Sequence, residues 1–121
     1  MKAASIFAFI ITSLLISNSS FAQSLQTDSI KVWGNCDMCK ETIEKAAKSA
    51  GANTADWNED SHQLAVTYAA KKTSSRKIQQ AVAKAGYDTQ DVKASNSAYS
   101  KLPGCCKYDR KTAAPGEPAK Q

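Results

Sequence analysis

The stretch SIKVWGNCDMCKETIEKAAKSAG, residues 29–51, changes its period halfway along. Residues 29–33 alternate, with Ile30 and Val32 on one side and Lys31 and Trp33 on the other. That is the pattern of a half-buried strand. Gly34 and Asn35 break it. From Lys40 the spacing turns helical: Ile43, Ala46, Ala47 and Ala50 fall at i, i+3, i+4 and i+7, one face of a helix. Glu41 and Glu44 stand four residues before Lys45 and Lys48, the favourable order for ion pairs along a helix. Gly51 ends the run. The loop joining strand to helix holds Cys36 and Cys39.

Working outward, residues 52–57 read as a weaker strand and residues 58–61 as a turn. Leu64, Val66 and Tyr68 alternate with Gln63, Ala65 and Thr67, a clear strand. Thr73, Ser74 and Ser75 supply helix caps. Ile78, Ala81, Val82 and Ala85 make the next helical face, Gly86 closes it, and residues 87–93 read as a last short strand. The order strand, helix, strand, strand, helix, strand predicts an α+β fold. It is the ferredoxin-like βαββαβ sandwich: a four-stranded antiparallel sheet with two helices on one face, over residues 29–93. Residues 23–28 are a polar lead-in. Residues 94–111 form a C-terminal extension containing Cys105 and Cys106, and residues 112–121, with Pro115, Gly116 and Pro118, read as a disordered tail.

Residues 1–22 read as a removable export signal. Lys2 is the charged start, residues 6–16 are apolar, and Ser20 and Ala22 suit cleavage before Gln23. The apolar run falls short of the roughly 20 residues that span a bilayer, and no later stretch comes near. The expectation is a soluble, exported, periplasmic chain. All three Phe residues lie in the leader, so the remaining core is small and rich in Ala. The net charge of +5 falls by one with Lys2 and is spread along the chain, which argues against a nucleic-acid partner. A Gly-rich phosphate loop is missing, and a single His cannot build a three-histidine catalytic zinc site. The expectation is a protein that is not an enzyme.

Cys36 and Cys39 sit where two effects meet. Their sulfurs are close enough to share one ion, and a helix N-terminus lowers thiol pKa values through its free N–H groups and partial positive charge. Soft thiolates suit Cu(I), Zn(II) and heavier soft ions such as Hg(II). Asp37 adds a hard carboxylate that suits a divalent ion. Residues 34–39, followed by a helix and later by Ala85-Gly86-Tyr87, resemble the heavy-metal-associated domain. That family includes copper chaperones, the metal-binding domains of transport ATPases and the periplasmic mercury-binding protein. The resemblance implies a ferredoxin-like fold and metal handover through Cys36 and Cys39. One departure stands out: Gly34-Asn35-Cys36 is a residue shorter than the usual GMxC and lacks the Met that packs under the loop.

Cys105 and Cys106 follow Leu102-Pro103-Gly104, a turn that exposes sulfur. The fourth strand of such a fold ends at the pole opposite the CxxC loop. The residues from Lys93 to Cys105 nevertheless reach ~40 Å at roughly 3.3 Å each, against ~23 Å for a seven-residue strand. The pair can therefore return and join Cys36 and Cys39, form a separate thiol site, or bond to Cys36 or Cys39 as a disulfide. His62 in the turn between strands two and three, Met38 inside the motif, and Tyr87 after the second helix are auxiliary candidates at the same pole.

The reading is an exported binding protein for a soft metal ion, Cu(I) first, then Zn(II) or Hg(II). It acts as a metallochaperone or scavenger beside a membrane metal transporter or efflux component. A metal-linked homodimer is an open form. Two alternatives stand beside it: a periplasmic dithiol-disulfide oxidoreductase and a disulfide-stapled interaction module. Trp33 and Lys40 bracket the motif as in a redox dithiol, but Pro103, Pro115 and Pro118 all lie outside the βαββαβ region.

Overall fold

The alternating runs pair into a three-stranded antiparallel sheet in the order β1-β3-β2, with β1 at Leu25–Lys31, β2 at Thr54–Trp57 and β3 at Gln63–Ala69. The computed structural model describes residues 24–110 and the backbone of Glu117–Pro118. The leader expected at 1–22 lies outside the described residues, as does the tail expected at 112–121 apart from that backbone. Ile30 stands opposite Leu64, and Leu64 opposite Trp57. Leu64, Val66, Tyr68, Ile30 and Trp57 all point into the core. The opposite face is polar: Ser29 Oγ donates to Gln63 Oε1 at 2.8 Å, and Thr54 and Thr67 share a hydroxyl hydrogen bond of 2.7 Å. β1 starts at Leu25, so most of the segment read as a lead-in pairs with β3.

Two helices bury their apolar faces in that core. α1 runs Asp37–Ser49 and buries Cys39, Ile43 and Ala47; α2 runs Ser75–Lys84 and buries Ile78, Val82 and Ala83. Ser74 caps α2, accepting from the Lys77 N–H at 3.2 Å. α1 begins three residues before the expected Lys40. Cys36 takes the extended conformation of an N-cap, and its carbonyl accepts the first helical bond from the Lys40 N–H at 3.0 Å. Glu44 turns to Lys40 Nζ at 2.7 Å and the Trp57 N–H at 2.8 Å, tying α1 to β2.

The expected fourth strand over 87–93 is corrected. Among the described residues of this segment, only Thr89 bridges back towards β1, to Val32 just past its end, flanked by Trp33 N–H to the Asp88 carbonyl at 3.0 Å and Gln90 N–H to the Lys31 carbonyl at 2.9 Å. Side chains take over the rest of the ladder. The single hydroxyl proton of Thr89 is shared between the Val92 carbonyl at 2.8 Å and Gln79 Oε1 of α2 at 2.9 Å, Thr89 Oγ1 accepts from the Val92 N–H, and Gln79 Oε1 also accepts from the Asp91 N–H. Such local bonds compete with strand pairing. The short β4, Val92–Lys93, pairs in parallel with β5, Glu117–Pro118.

Beyond β4, α3 spans Asn96–Ser100 and a single 3-10 turn spans Gly104–Cys106. Gly86 has φ +111° and lies so near this segment that a Cβ there would come within 2.9 Å of the Ala98 carbonyl oxygen and 2.8 Å of Leu102. Only glycine accommodates both the backbone and the approach. Among the described residues, no helix is long and apolar enough to cross a membrane.

Candidate metal centre

Cys36 and Cys39 lie one helical turn apart at the start of α1, with their sulfurs 3.7 Å from each other. The 3-10 turn brings a third sulfur from the far end of the chain: Cys39 Sγ is 2.7 Å from Cys106 Sγ. The sulfurs of Cys36, Cys39 and Cys106 all lie within 4.8 Å of one another. Three sulfurs around one ion at metal–sulfur lengths of about 2.3 Å sit about 4.0 Å apart. The cluster could therefore hold an ion if Cys39 and Cys106 opened by about 1.3 Å from their 2.7 Å separation. The donor set is all soft sulfur, the set that selects Cu(I) and Zn(II).

Exposure divides the four thiols. Cys39 and Cys106 are 0% and 1% exposed, Cys36 is half-buried and Cys105 is open to solvent. The Cys39 backbone N–H, at the positive end of α1, holds the Cys36 thiol below its ordinary range, and the Met38 N–H adds to this. Burial pushes the Cys106 thiol the other way, up to about 12, with Cys39 adding and the Tyr87 hydroxyl opposing. Burial also raises Tyr87 above the ordinary phenol range, and its hydrogen bond to Cys106 adds to that.

The loop under Cys36 rests on Trp57. A Cβ at Gly34 would meet the Trp57 ring at 3.1 Å and Ile43 at 3.2 Å. The indole N–H donates to the Val32 carbonyl at 3.0 Å. Trp57 thus fills the space beneath the loop in this chain, which has no Met before the motif.

A polar latch holds the third sulfur in place. Arg110 makes a two-pronged contact with Asp88, Nε to Oδ2 at 3.0 Å and an end nitrogen to Oδ1 at 2.9 Å, and reaches the Ala94 carbonyl at 2.6 Å. Asp88 is fully buried and also accepts from the Ala94 N–H at 2.7 Å. The Tyr108 hydroxyl accepts from the Asp88 N–H at 2.7 Å and donates to the Gly86 carbonyl at 2.9 Å. Tyr99 donates to the Tyr108 carbonyl at 2.6 Å and meets its ring edge-on. The Tyr108 N–H in turn holds the Cys106 carbonyl at 2.9 Å. Loop 86–88 and the extension are one assembly, and Cys106 is its tip.

Of the auxiliary candidates, Tyr87 is brought to the sulfurs, with its hydroxyl on Cys106 and its ring stacked on Tyr108 at 6.0 Å. Met38 is 55% exposed, and its Sδ lies 3.6 Å from Cys105 Sγ. Cys105 stands outside the three-sulfur cluster, 4.0 Å from Cys106. His62 is not brought in. Its ring lies 5.8 Å from that of Trp57, and it is absent from the ligand cluster among the described residues. Asp88 and Arg110 escape a reading of the sequence. The signal the sequence offers is Asp88, one of two Asp residues in the expected strand, where Asp is disfavoured.

Tyr87, Tyr108 and Cys106 are all held protonated in the folded chain, chiefly by burial. Above about pH 9, the ordinary thiol value, the folded chain binds more protons than the unfolded one. Stability then falls as pH rises. The contribution is whole below pH 9 and lost through the alkaline range. Urea melts of the metal-free chain are expected to show stability rising towards about pH 9, as Cys36 ionises more readily in the folded chain, and declining above it as the three raised groups dominate. Tyr108→Phe removes part of that slope.

The heavy-metal-associated domain matches residues 35–88. The fold is similar to that of a CopZ metallochaperone, 29% identical over 53% of this chain and 98% of that one, TM-score 0.51. It is also similar to oxidized MerP from Ralstonia metallidurans CH34, 34% identical over 55% of this chain and 94% of that one, TM-score 0.52. No curated protein matches. With the strand-loop-helix frame, the CxxC pair at the helix start and a relative of this identity covered almost end to end, the chain belongs to the heavy-metal-associated domain family.

Proposed function

We propose that this protein is an exported carrier of a soft metal ion, Cu(I) before Zn(II) or Hg(II). The ion sits between Cys36, Cys39 and Cys106 and passes by thiol exchange to or from a membrane metal transporter. One observation carries the reading: a sulfur 67 residues away in sequence is held 2.7 Å from Cys39 by the Asp88–Arg110 latch. Two cysteines of a CxxC loop leave a soft ion open to a second chain's thiols. Here the third thiolate comes from the same chain, which favours loading as a monomer. Three thiolates complete a trigonal site for Cu(I) but leave Zn(II) one ligand short of its tetrahedron. The similarity to a metallochaperone supports transport over storage. The charged, apolar and small-residue pattern of residues 1–22 supports export to the periplasm.

Native mass spectrometry of residues 23–121, reduced and titrated anaerobically with Cu(I), Zn(II) and Hg(II), tests this. The expected result is one ion per monomer, with Cu(I) held more tightly than Zn(II). Cys106→Ser is expected to lower Cu(I) affinity on the order of 10- to 100-fold, about 1.4–2.7 kcal/mol. Unchanged affinity in that variant would remove the third sulfur from the reading. A chain that takes up none of the three ions would end it.

A further inference from the structure

Two sulfurs remain outside the three-sulfur site. Met38 Sδ and Cys105 Sγ lie 3.6 Å apart, on different elements, at the open end of the cluster. Met38 and Leu25 are the large apolar side chains left exposed among the described residues. A thioether in water gains nothing from packing, but it is a soft ligand. The turn that carries Cys105 is fixed on the loop: its carbonyl accepts from Asn35 Nδ2 at 3.4 Å and from the Cys36 thiol at 3.6 Å. From Met38 inward, successive sulfurs are separated by 3.6, 4.0, 2.7 and 3.7 Å, through Cys105, Cys106, Cys39 and Cys36.

We infer that Met38 and Cys105 form an outer capture pair, which takes the ion from its donor and hands it to Cys106 and the interior site. This rests on the three-sulfur reading. Cys39 and Cys106 are closed to a bulky donor complex by their burial, whereas Cys105 meets it in solvent. In the first step the Cys105 thiol loses its proton to water. Its thiolate bonds the ion, and the donor's ligand leaves and takes up a proton. Met38 donates a neutral lone pair with no proton change. In the second step the Cys106 thiol loses its proton to water and its thiolate replaces Cys105, which takes a proton back. Met38 then leaves unchanged as the Cys39 and Cys36 thiols each lose a proton to water and bond the ion. The ion keeps its oxidation state throughout.

The pair acts on rate, not on the final affinity. The test is stopped-flow transfer of Cu(I) from a coloured chelate to the reduced full-length mature chain, beside competition titrations at equilibrium. Cys105→Ser and the volume-conserving Met38→Leu are compared with the parent and with Cys106→Ser. The capture pair predicts that Cys105→Ser slows loading about 10- to 100-fold, a barrier higher by about 1.4–2.7 kcal/mol, that Met38→Leu slows it less, and that both leave affinity within about threefold. By microscopic reversibility, release to the chelate slows by the same factor. Loading of Cys105→Ser at the parent's rate overturns the pair. So does a fall in its affinity equal to that of Cys106→Ser, which would make Cys105 a resident ligand. A parent chain that binds no Cu(I) at equilibrium refutes the three-sulfur site itself, a result distinct from either.

Discussion

Cys39→Ser is expected to lower Cu(I) affinity on the order of a thousandfold, about 4 kcal/mol of a binding free energy that for thiolate sites runs to roughly 10–16 kcal/mol. Cys39 is the central sulfur of the cluster, 3.7 Å from Cys36 and 2.7 Å from Cys106. Serine keeps the shape but puts a hard, neutral oxygen where a soft ion needs thiolate. The remaining sulfurs, on the loop and on the 3-10 turn, lose the ligand that lies between them. Competition against a Cu(I) chelator measures the loss, and a thermal melt of the metal-free variant separates it from unfolding. Cys39 is fully buried in the core, so a modest fall in melting temperature is expected as well. An affinity within tenfold of the parent would show that the ion does not sit between these three sulfurs.

Arg110→Ala carries the largest expected effect on stability. It leaves the Asp88 carboxylate fully buried without its cation. Breaking a buried pair by removing one partner costs about 3–5 kcal/mol, a large share of the roughly 5–15 kcal/mol that holds a small domain together. The loss reaches the metal site, because Asp88, Ala94 and Tyr108 form the seat on which Cys106 rests. Urea unfolding of the metal-free variant gives the stability. Cu(I) competition is expected to give an affinity close to that of Cys106→Ser. Adding Asp88→Asn to Arg110→Ala removes the stranded charge and keeps an acceptor for the Ala94 N–H. The double variant is expected to recover about 1 kcal/mol or more, a coupling that separate, independent sites would not show. Equal stability of Arg110→Ala and the parent would mean that the pair contributes nothing.

The local half of the architecture is legible in the sequence. Ile30 and Val32, and Leu64, Val66 and Tyr68, declare strands by alternation, and Ile43 and Ala47 declare a helix by spacing, because those periods follow from backbone geometry. The CxxC loop is legible for the same reason, since its two cysteines are three residues apart. The start of α1 is misjudged because apolar periodicity begins only at Ile43, while the helix itself begins where Cys36 turns extended. The fourth strand is lost to side chains: Gln79 and Thr89 satisfy the backbone that a ladder would otherwise use. Cys106 is legible only as one of several outcomes. Chain length allows its return, but what decides it is Asp88 meeting Arg110, a contact between residues 22 positions apart that no local pattern encodes.

The latch has a consequence for the ion as a mechanical element. An ion bonded to Cys36, Cys39 and Cys106 closes a loop of almost the whole described domain, joining the first turn of α1 to the 3-10 turn at Gly104–Cys106. The free chain closes that loop with the latch, the core packing of Leu102 and Tyr108 and the two bonds to the Cys105 carbonyl, against an entropy cost that grows only slowly with length. The loaded chain closes it with bonds. An ion that binds only the closed form stabilises it by mass action, so cargo and clasp hold the same joint. A partner that pulls the extension away from loop 86–88 would lower the ion's coordination from three sulfurs to two without touching either cysteine of the loop. Under the proposed carrier function, unloading would then be a matter of opening a clasp whose closing contact is Arg110 on Asp88.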